Sequence, residues 1–113
     1  MTSPTLAPQQ TRECIDACSD CAVACQACAD HCTRQADPQT LTCIRLCLSC
    51  AEACLACLPS LTRAANYEAL CRACAELCEA CAAECERYDD QTMSQCAEAC
   101  RRAAQSCRQM ASA

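Results

Sequence analysis

Residues 14–32 read CIDACSDCAVACQACADHC, and this stretch decides the fold. Its cysteines are Cys14, Cys18, Cys21, Cys25, Cys28 and Cys32, separated alternately by four and three residues. On a helix of about 3.6 residues per turn, that alternation keeps all of them on one stripe. With a rise of 1.5 Å per residue the stripe is roughly 27 Å long. Leu, Ile and Val ordinarily fill such a seam. Here thiols replace them, so the core of the fold and the chemistry of the protein are expected to coincide.

The same device recurs along the chain. A second stripe holds Cys43, Cys47, Cys50, Cys54 and Cys57, and a third holds Cys71, Cys74, Cys78, Cys81 and Cys85. A fourth holds Cys96, Cys100 and Cys107, with Ala103 in the place of its missing member and Met93 and Met110 extending the face. Thr11 reads as the cap of the first helix, which should run to about Gln35. Asp37-Pro38 marks a break and a restart, since Asp caps a helix and Pro suits its first turn. Pro59 is expected to interrupt the second helix, leaving Ser60 to Ala65 as a short turn or linker. Asn66 should cap the third helix, and Asp89 or Asp90 the fourth. Residues 1–10, with Pro4 and Pro8, read as a flexible tail, and 11–113 as a single metal-binding domain. Four amphipathic helices joined by short connections predict an all-α, antiparallel up-down-up-down four-helix bundle with a cysteine-lined core.

Composition narrows the function. The 113 residues suffice for one core, and nineteen cysteines mark a disulfide or metal scaffold. Glycine is absent, which removes phosphate-cradling loops and the dinucleotide fingerprint. Nine arginines face fourteen acids, and a net charge of −5 argues against nucleic acid. The opening MTSPTLAPQQTRE shows no basic n-region, apolar h-region or twin arginine, and no apolar run is expected to approach membrane-spanning length. A soluble, cytosolic chain with reduced thiols is expected.

Three readings of the sulfur compete. Buried cysteines can be mere small hydrophobes, but nineteen confined to four stripes are too many. A disulfide-stapled scaffold suits neither an odd number nor the poor bridging geometry of consecutive thiols on one helix. Metal suits the spacing, because thiolates at i and i+4 face the same way and can converge on one ion. Eight such pairs can be drawn: Cys14/Cys18, Cys21/Cys25, Cys28/Cys32, Cys43/Cys47, Cys50/Cys54, Cys74/Cys78, Cys81/Cys85 and Cys96/Cys100. The remaining Cys57, Cys71 and Cys107 fall together at one end of an antiparallel bundle.

Thiolate selects Cu(I), Zn or iron–sulfur clusters. A four-thiolate Zn²⁺ site keeps two negative charges, and stacking several in one narrow core is costly. Cu(I) accepts two or three sulfurs, so one ion per bridging thiolate leaves the core near neutral. Multiple Cu(I) ions are therefore the preferred cargo, with zinc or a general soft-metal sink as the alternative. Iron–sulfur ligands more often come from loops or short spaced motifs. A thiol–disulfide redox protein is a rival from another class. It requires a lowered thiol pKa, for which only Cys71 and Cys74, near a helix start and beside Arg72, are placed.

The runs CIDACSDCAVACQAC, CIRLCLSCAEACLAC and CRACAELCEACAAEC resemble the bacterial copper storage proteins. The resemblance extends from about Thr11 to Met110. It implies a non-enzymatic four-helix bundle that stores many Cu(I) ions on its core cysteines and assembles as a homo-oligomer, with a tetramer suggested. Lacking a twin-arginine signal, this chain resembles the cytosolic branch, and Ala103 is its departure from a full stripe.

Two features lie outside the stripes. His31, the only histidine, stands beside Cys32 at the end that should also hold Cys43, Cys85, Tyr88, Met93 and Cys96. Imidazole and thioether are weaker Cu(I) ligands than thiolate and suit an ion in transit, so His31 and Met93 are candidate ligands where metal enters. The family similarly places His and Met at its open end. His31 serves equally as a surface residue at a helix C-terminus, and Met93 as a core filler. The opposite end should be plugged by Leu61, Tyr67 and Met110. On the second helix Leu41, Ile44, Leu48, Ala51, Leu55 and Leu58 form another apolar face. That face packs either within the bundle or between bundles.

Overall fold

The computed structural model describes residues 8–112. Four helices follow in order: α1 (Gln9–Gln35), α2 (Leu41–Arg63), α3 (Glu68–Cys85) and α4 (Gln91–Ser112), with a single 3-10 turn at Pro38–Thr40. Each of α1 and α3 packs against both α2 and α4, so the helices form a ring. The sulfur contacts show the antiparallel register directly. Cys43 meets Cys85 at 3.5 Å, Cys47 meets Cys81 at 3.7 Å, Cys50 meets Cys78 at 3.4 Å and Cys54 meets Cys74 at 3.6 Å. As the numbering climbs α2 it descends α3. The same holds for α1 and α4, where Cys14 lies 3.8 Å from Cys107 and Cys25 lies 3.7 Å from Cys96.

The caps differ in part from the sequence reading. Helix α1 starts at Gln9, with Pro8 before it and no side-chain cap, and Thr11 is buried at the core's edge. Asp37 does cap the turn after α1, its Oδ1 accepting the Gln39 N–H at 3.0 Å. Helix α2 does not stop at Pro59 but runs on to Arg63. Pro59 sits on the outer face, where water can reach the Leu55 carbonyl that loses its partner, and continuation buries Ser60 and Leu61. Tyr67, not Asn66, precedes α3; Asn66 is instead turned into the left-handed region at φ 60°. At α4, Asp90 Oδ1 accepts the Met93 N–H at 2.9 Å, as a cap should. Of the tail read over residues 1–10, Gln9 and Gln10 belong to α1 and residues 1–7 lie outside the described residues.

Without glycine, the chain ends α1 and α2 on alanines in the left-handed region, Ala36 at φ 54° and Ala64 at φ 55°. The Ala36 N–H donates to the Cys32 carbonyl at 3.2 Å and the Thr33 carbonyl at 3.1 Å, which satisfies the end of α1.

The core is sulfur and methyl. All nineteen cysteines are buried, with nine alanines, Met93, Met110 and a single leucine, Leu61. Alanine between the cysteines lets the helices approach closely enough for thiols to touch across the axis. By length and composition, Pro38–Arg63 is the one helix among the described residues that could cross a membrane, with a mean hydropathy of 1.8 and a third of that window buried. This modifies the expectation that no segment nears that length. The apolar weight comes from cysteines that face inward and from leucines that face outward.

Candidate metal centre

The four stripes converge into one column of thiols, and none of the nineteen is in a disulfide. Neighbouring sulfurs stand 3.4 to 4.0 Å apart. A disulfide bond is about 2.05 Å long, so these are non-bonded contacts. Metal fits them better. With a metal–sulfur bond of about 2.3 Å, three- or four-coordinate sulfurs lie about 3.8 to 4.0 Å apart, and linear two-coordination asks for about 4.6 Å. The column therefore accepts ions with little rearrangement.

Contacts within a helix are the smaller part of the network. Among the eight i,i+4 pairs, Cys21/Cys25 approach to 3.9 Å, Cys43/Cys47 to 4.0 Å and Cys74/Cys78 to 3.8 Å. The shorter contacts cross between helices. Cys21 reaches Cys50 and Cys100, each at 3.7 Å, and Cys107 lies 3.6 Å from Cys18. Even α2 and α4, opposite each other in the ring, meet at 4.0 Å through Cys50/Cys100 and Cys47/Cys96. Sulfurs of Cys18, Cys57, Cys74 and Cys107 all lie within 4.8 Å of one another, one from each helix, and so do Cys28, Cys47, Cys85 and Cys96. Between them Cys21, Cys25, Cys50 and Cys100 form one group and Cys25, Cys81, Cys96 and Cys100 another. Shared members join the central groups, and Cys74, 3.6 Å from Cys54 and 3.8 Å from Cys78, links them to the Cys18 group, so the column is continuous, a property that isolated sites lack.

The thiols share protons as well as space. A hydrogen bond from Cys107 pulls Cys14 below the ordinary thiol range, and the same contact with Cys14 holds Cys107 above it. One sulfur of each such contact is favoured as the acceptor and the other as the proton holder. Near the two ends burial dominates. It raises Cys32 from 9.0 to about 11 and Cys71 from 9.0 to about 12, with repulsion from Cys43 and Cys57 adding to it. Burial weighs against the redox rival, because Cys71 and Cys74 are both fully enclosed; the Cys71 thiol is raised, while the Cys107 and Cys18 contacts pull Cys74 down inside the thiol network and away from any substrate.

Cys57, Cys71 and Cys107 gather at one end. Cys57 and Cys107 belong to one four-sulfur group, and Cys71 stands in the first turn of α3 at the same end. That end is filled by buried Leu61 and Met110 with partly buried Tyr67. Ala103 is fully buried between Cys100 and Cys107, so the stripe's gap is packed with a methyl group. At the other end His31 is about one-third exposed and its Nε2 lies 2.8 Å from Asp90 Oδ2. The His31 contact, followed by the Met93 N–H, holds the Asp90 carboxyl below its ordinary range. Met93, at 1% exposure, is buried above Cys96, not presented to solvent. Tyr88 Oη lies 2.8 Å from the Gln39 carbonyl and ties the α3–α4 loop to the turn before α2. The sequence reading offers Asp89 or Asp90 as the cap and does not show the grip of Asp90's second oxygen on His31. Only the position of an acid opposite the lone histidine hinted at it.

The copper storage protein profile matches residues 7–112. The chain belongs to the copper storage protein family. No curated protein sequence matches it. Solved structures of this family do. The Cu(I)-bound copper storage protein BsCsp3 of Bacillus subtilis is 36% identical with a TM-score of 0.85, over 91% of this chain and 99% of that one. A cytosolic copper storage protein from Streptomyces lividans, with five coppers, is 35% identical with a TM-score of 0.85, over 93% and 94% of the two chains. The same organism's protein Ccsp, loaded with 10 copper equivalents, is 34% identical with a TM-score of 0.85, over 98% and 93%. All are copper storage bundles of this chain's length.

Proposed function

We propose that the chain is a cytosolic store and detoxifying sink for many Cu(I) ions, held by the thiolates of its core, and that it has no catalytic role. The continuous column of reduced, buried thiols carries this reading. Each Cu(I) that displaces a thiol proton replaces one positive charge with another, so the column can fill without accumulating charge. Zn²⁺ suits any one group of four sulfurs, but the shared Cys21, Cys25, Cys50, Cys96 and Cys100 prevent all groups from being occupied independently. The nineteen cysteines from Cys14 to Cys107 are the proposed ligands, and residues 11–113 act as one metal-binding domain. His31 and Met93 mark the end where ions arrive, and the protein works as a homo-oligomer, with the family resemblance suggesting a tetramer. An anaerobic Cu(I) titration of the reduced protein against a competing chelator tests the storage reading. Uptake should continue to many ions per chain. Saturation after a few, or preference for zinc in a mixed titration, refutes it.

A further inference from the structure

Five large apolar side chains are exposed among the described residues, and three of them form one column on α2: Leu41 at 56%, Leu48 at 42% and Leu55 at 52%. They are spaced seven residues apart, so each recurs within about 20° of the next and the three span about 21 Å. Ile44 and Leu58 flank the column and are partly buried against the bundle, while Ala51 is wholly buried. The face expected from the sequence is therefore divided, with half serving this bundle and the leucine column left outside.

The arrangement is symmetric about Leu48. Leu41 lies seven residues before it and Leu55 seven after, and Arg45 and Glu52 stand on one flank, three before and four after. Both charged residues are exposed and neither has an ion-pair partner among the described residues. A two-fold axis perpendicular to α2 at Leu48 would lay a second α2 antiparallel on the first. Leu41 then meets Leu55 of the other copy and Leu48 meets its own counterpart. Such an axis brings the same flank of both helices together, so Arg45 comes level with the other copy's Glu52 to within about one residue's rise of 1.5 Å. A parallel pair would set the charged flank of each helix against the apolar flank of the other. The self-complementary pattern is what a two-fold interface requires.

We infer that the exposed face of α2 is an isologous, antiparallel contact with α2 of a second copy of this chain, centred on Leu48 and keyed by reciprocal Arg45–Glu52 pairs. The inference rests on the homo-oligomer reading above and supplies its interface. A lipid surface is the poorer occupant, because membrane-lying helices carry basic flanks and this one pairs a base with an acid. The column covers a few hundred Å² on each copy, against about 800 Å² for a standard interface. Association through it alone is therefore weak and concentration-dependent.

The test is sedimentation of the full chain, apo and Cu(I)-loaded, across a micromolar concentration series, for the wild type, L48D, R45E, E52R and R45E/E52R. The wild type should associate. L48D should lose association while its helix content by circular dichroism and its Cu(I) capacity stay unchanged, since Leu48 is exposed on the outer face of α2. R45E and E52R should each weaken association about tenfold, and the double variant should recover it. A wild type that remains monomeric overturns both this inference and the oligomer reading. An oligomer indifferent to L48D, or a double variant as weak as the singles, overturns only the α2 interface. Flotation of the wild type with zwitterionic lipid vesicles would assign the face to a membrane instead and likewise overturn it.

Discussion

Replacing Cys100 with alanine removes a sulfur placed at the crossing of the column. Cys100 lies 3.7 Å from Cys21, 3.7 Å from Cys25 and 4.0 Å from Cys50, and it belongs to two of the four-sulfur groups. If each bridging thiolate joins two Cu(I) ions, its loss leaves both under-coordinated, so C100A should hold about two ions fewer than the wild type. Cys32 ends the α1 stripe and can bridge on one side alone, so C32A should lose about one. Stability of the apo protein should not separate the two variants. Each deletes one heavy atom from a fully buried site, which costs on the order of 1 kcal/mol. The assay pairs anaerobic chelator-competed Cu(I) titration with urea unfolding of the reduced apo protein. Equal losses of capacity in C100A and C32A, at similar stability, would refute the view that ions are bridged through the crossing sulfurs.

Other perturbations test the ends of the bundle and its helices. A36G and A64G should each stabilise the apo protein by about 1 kcal/mol in urea, because glycine relieves the left-handed backbone that alanine resists; destabilisation would contradict those helix ends. The double variant H31A/M93A should slow stopped-flow Cu(I) loading while leaving final capacity nearly unchanged, and unaltered rates would remove this end as the route. Cys32 and Cys71 have folded pKa values raised to about 11 and about 12 from 9.0. Their contribution to apo stability is therefore fully present below pH 9 and is lost as pH climbs through 11 and 12. A reduced apo C32A/C71A protein should show a flatter alkaline loss of stability than the wild type, and parallel curves would count against the raised values.

The helices and the thiol seam were legible because both are written locally. A stripe at intervals of three and four needs only the helix period to appear, so Cys14 to Cys32 predicted their own shared face without any partner. The restart at Asp37-Pro38 and the cap at Asp90 were equally local, resting on hydrogen bonds between residues two or three apart. What the tertiary structure decided involves distant residues. Pro59 stays inside α2 because burial of Leu61 at the bundle's end outweighs one lost backbone bond, and the local sequence around Pro59 does not show that burial. Thr11 faces the core and cannot be a cap, since α1 begins early enough to carry it inward. The i,i+4 pairs visible in the sequence are only part of the thiol network; Cys43 finds Cys85 and Cys21 finds Cys100 through the register of four helices, which no spacing encodes. His31 is held by Asp90 across 59 positions. The apolar face of α2 divides into a buried Ala51 and an exposed leucine column because neighbouring helices cover only one side of it. Periodicity specifies which residues share a helix face, and packing between helices determines what that face meets.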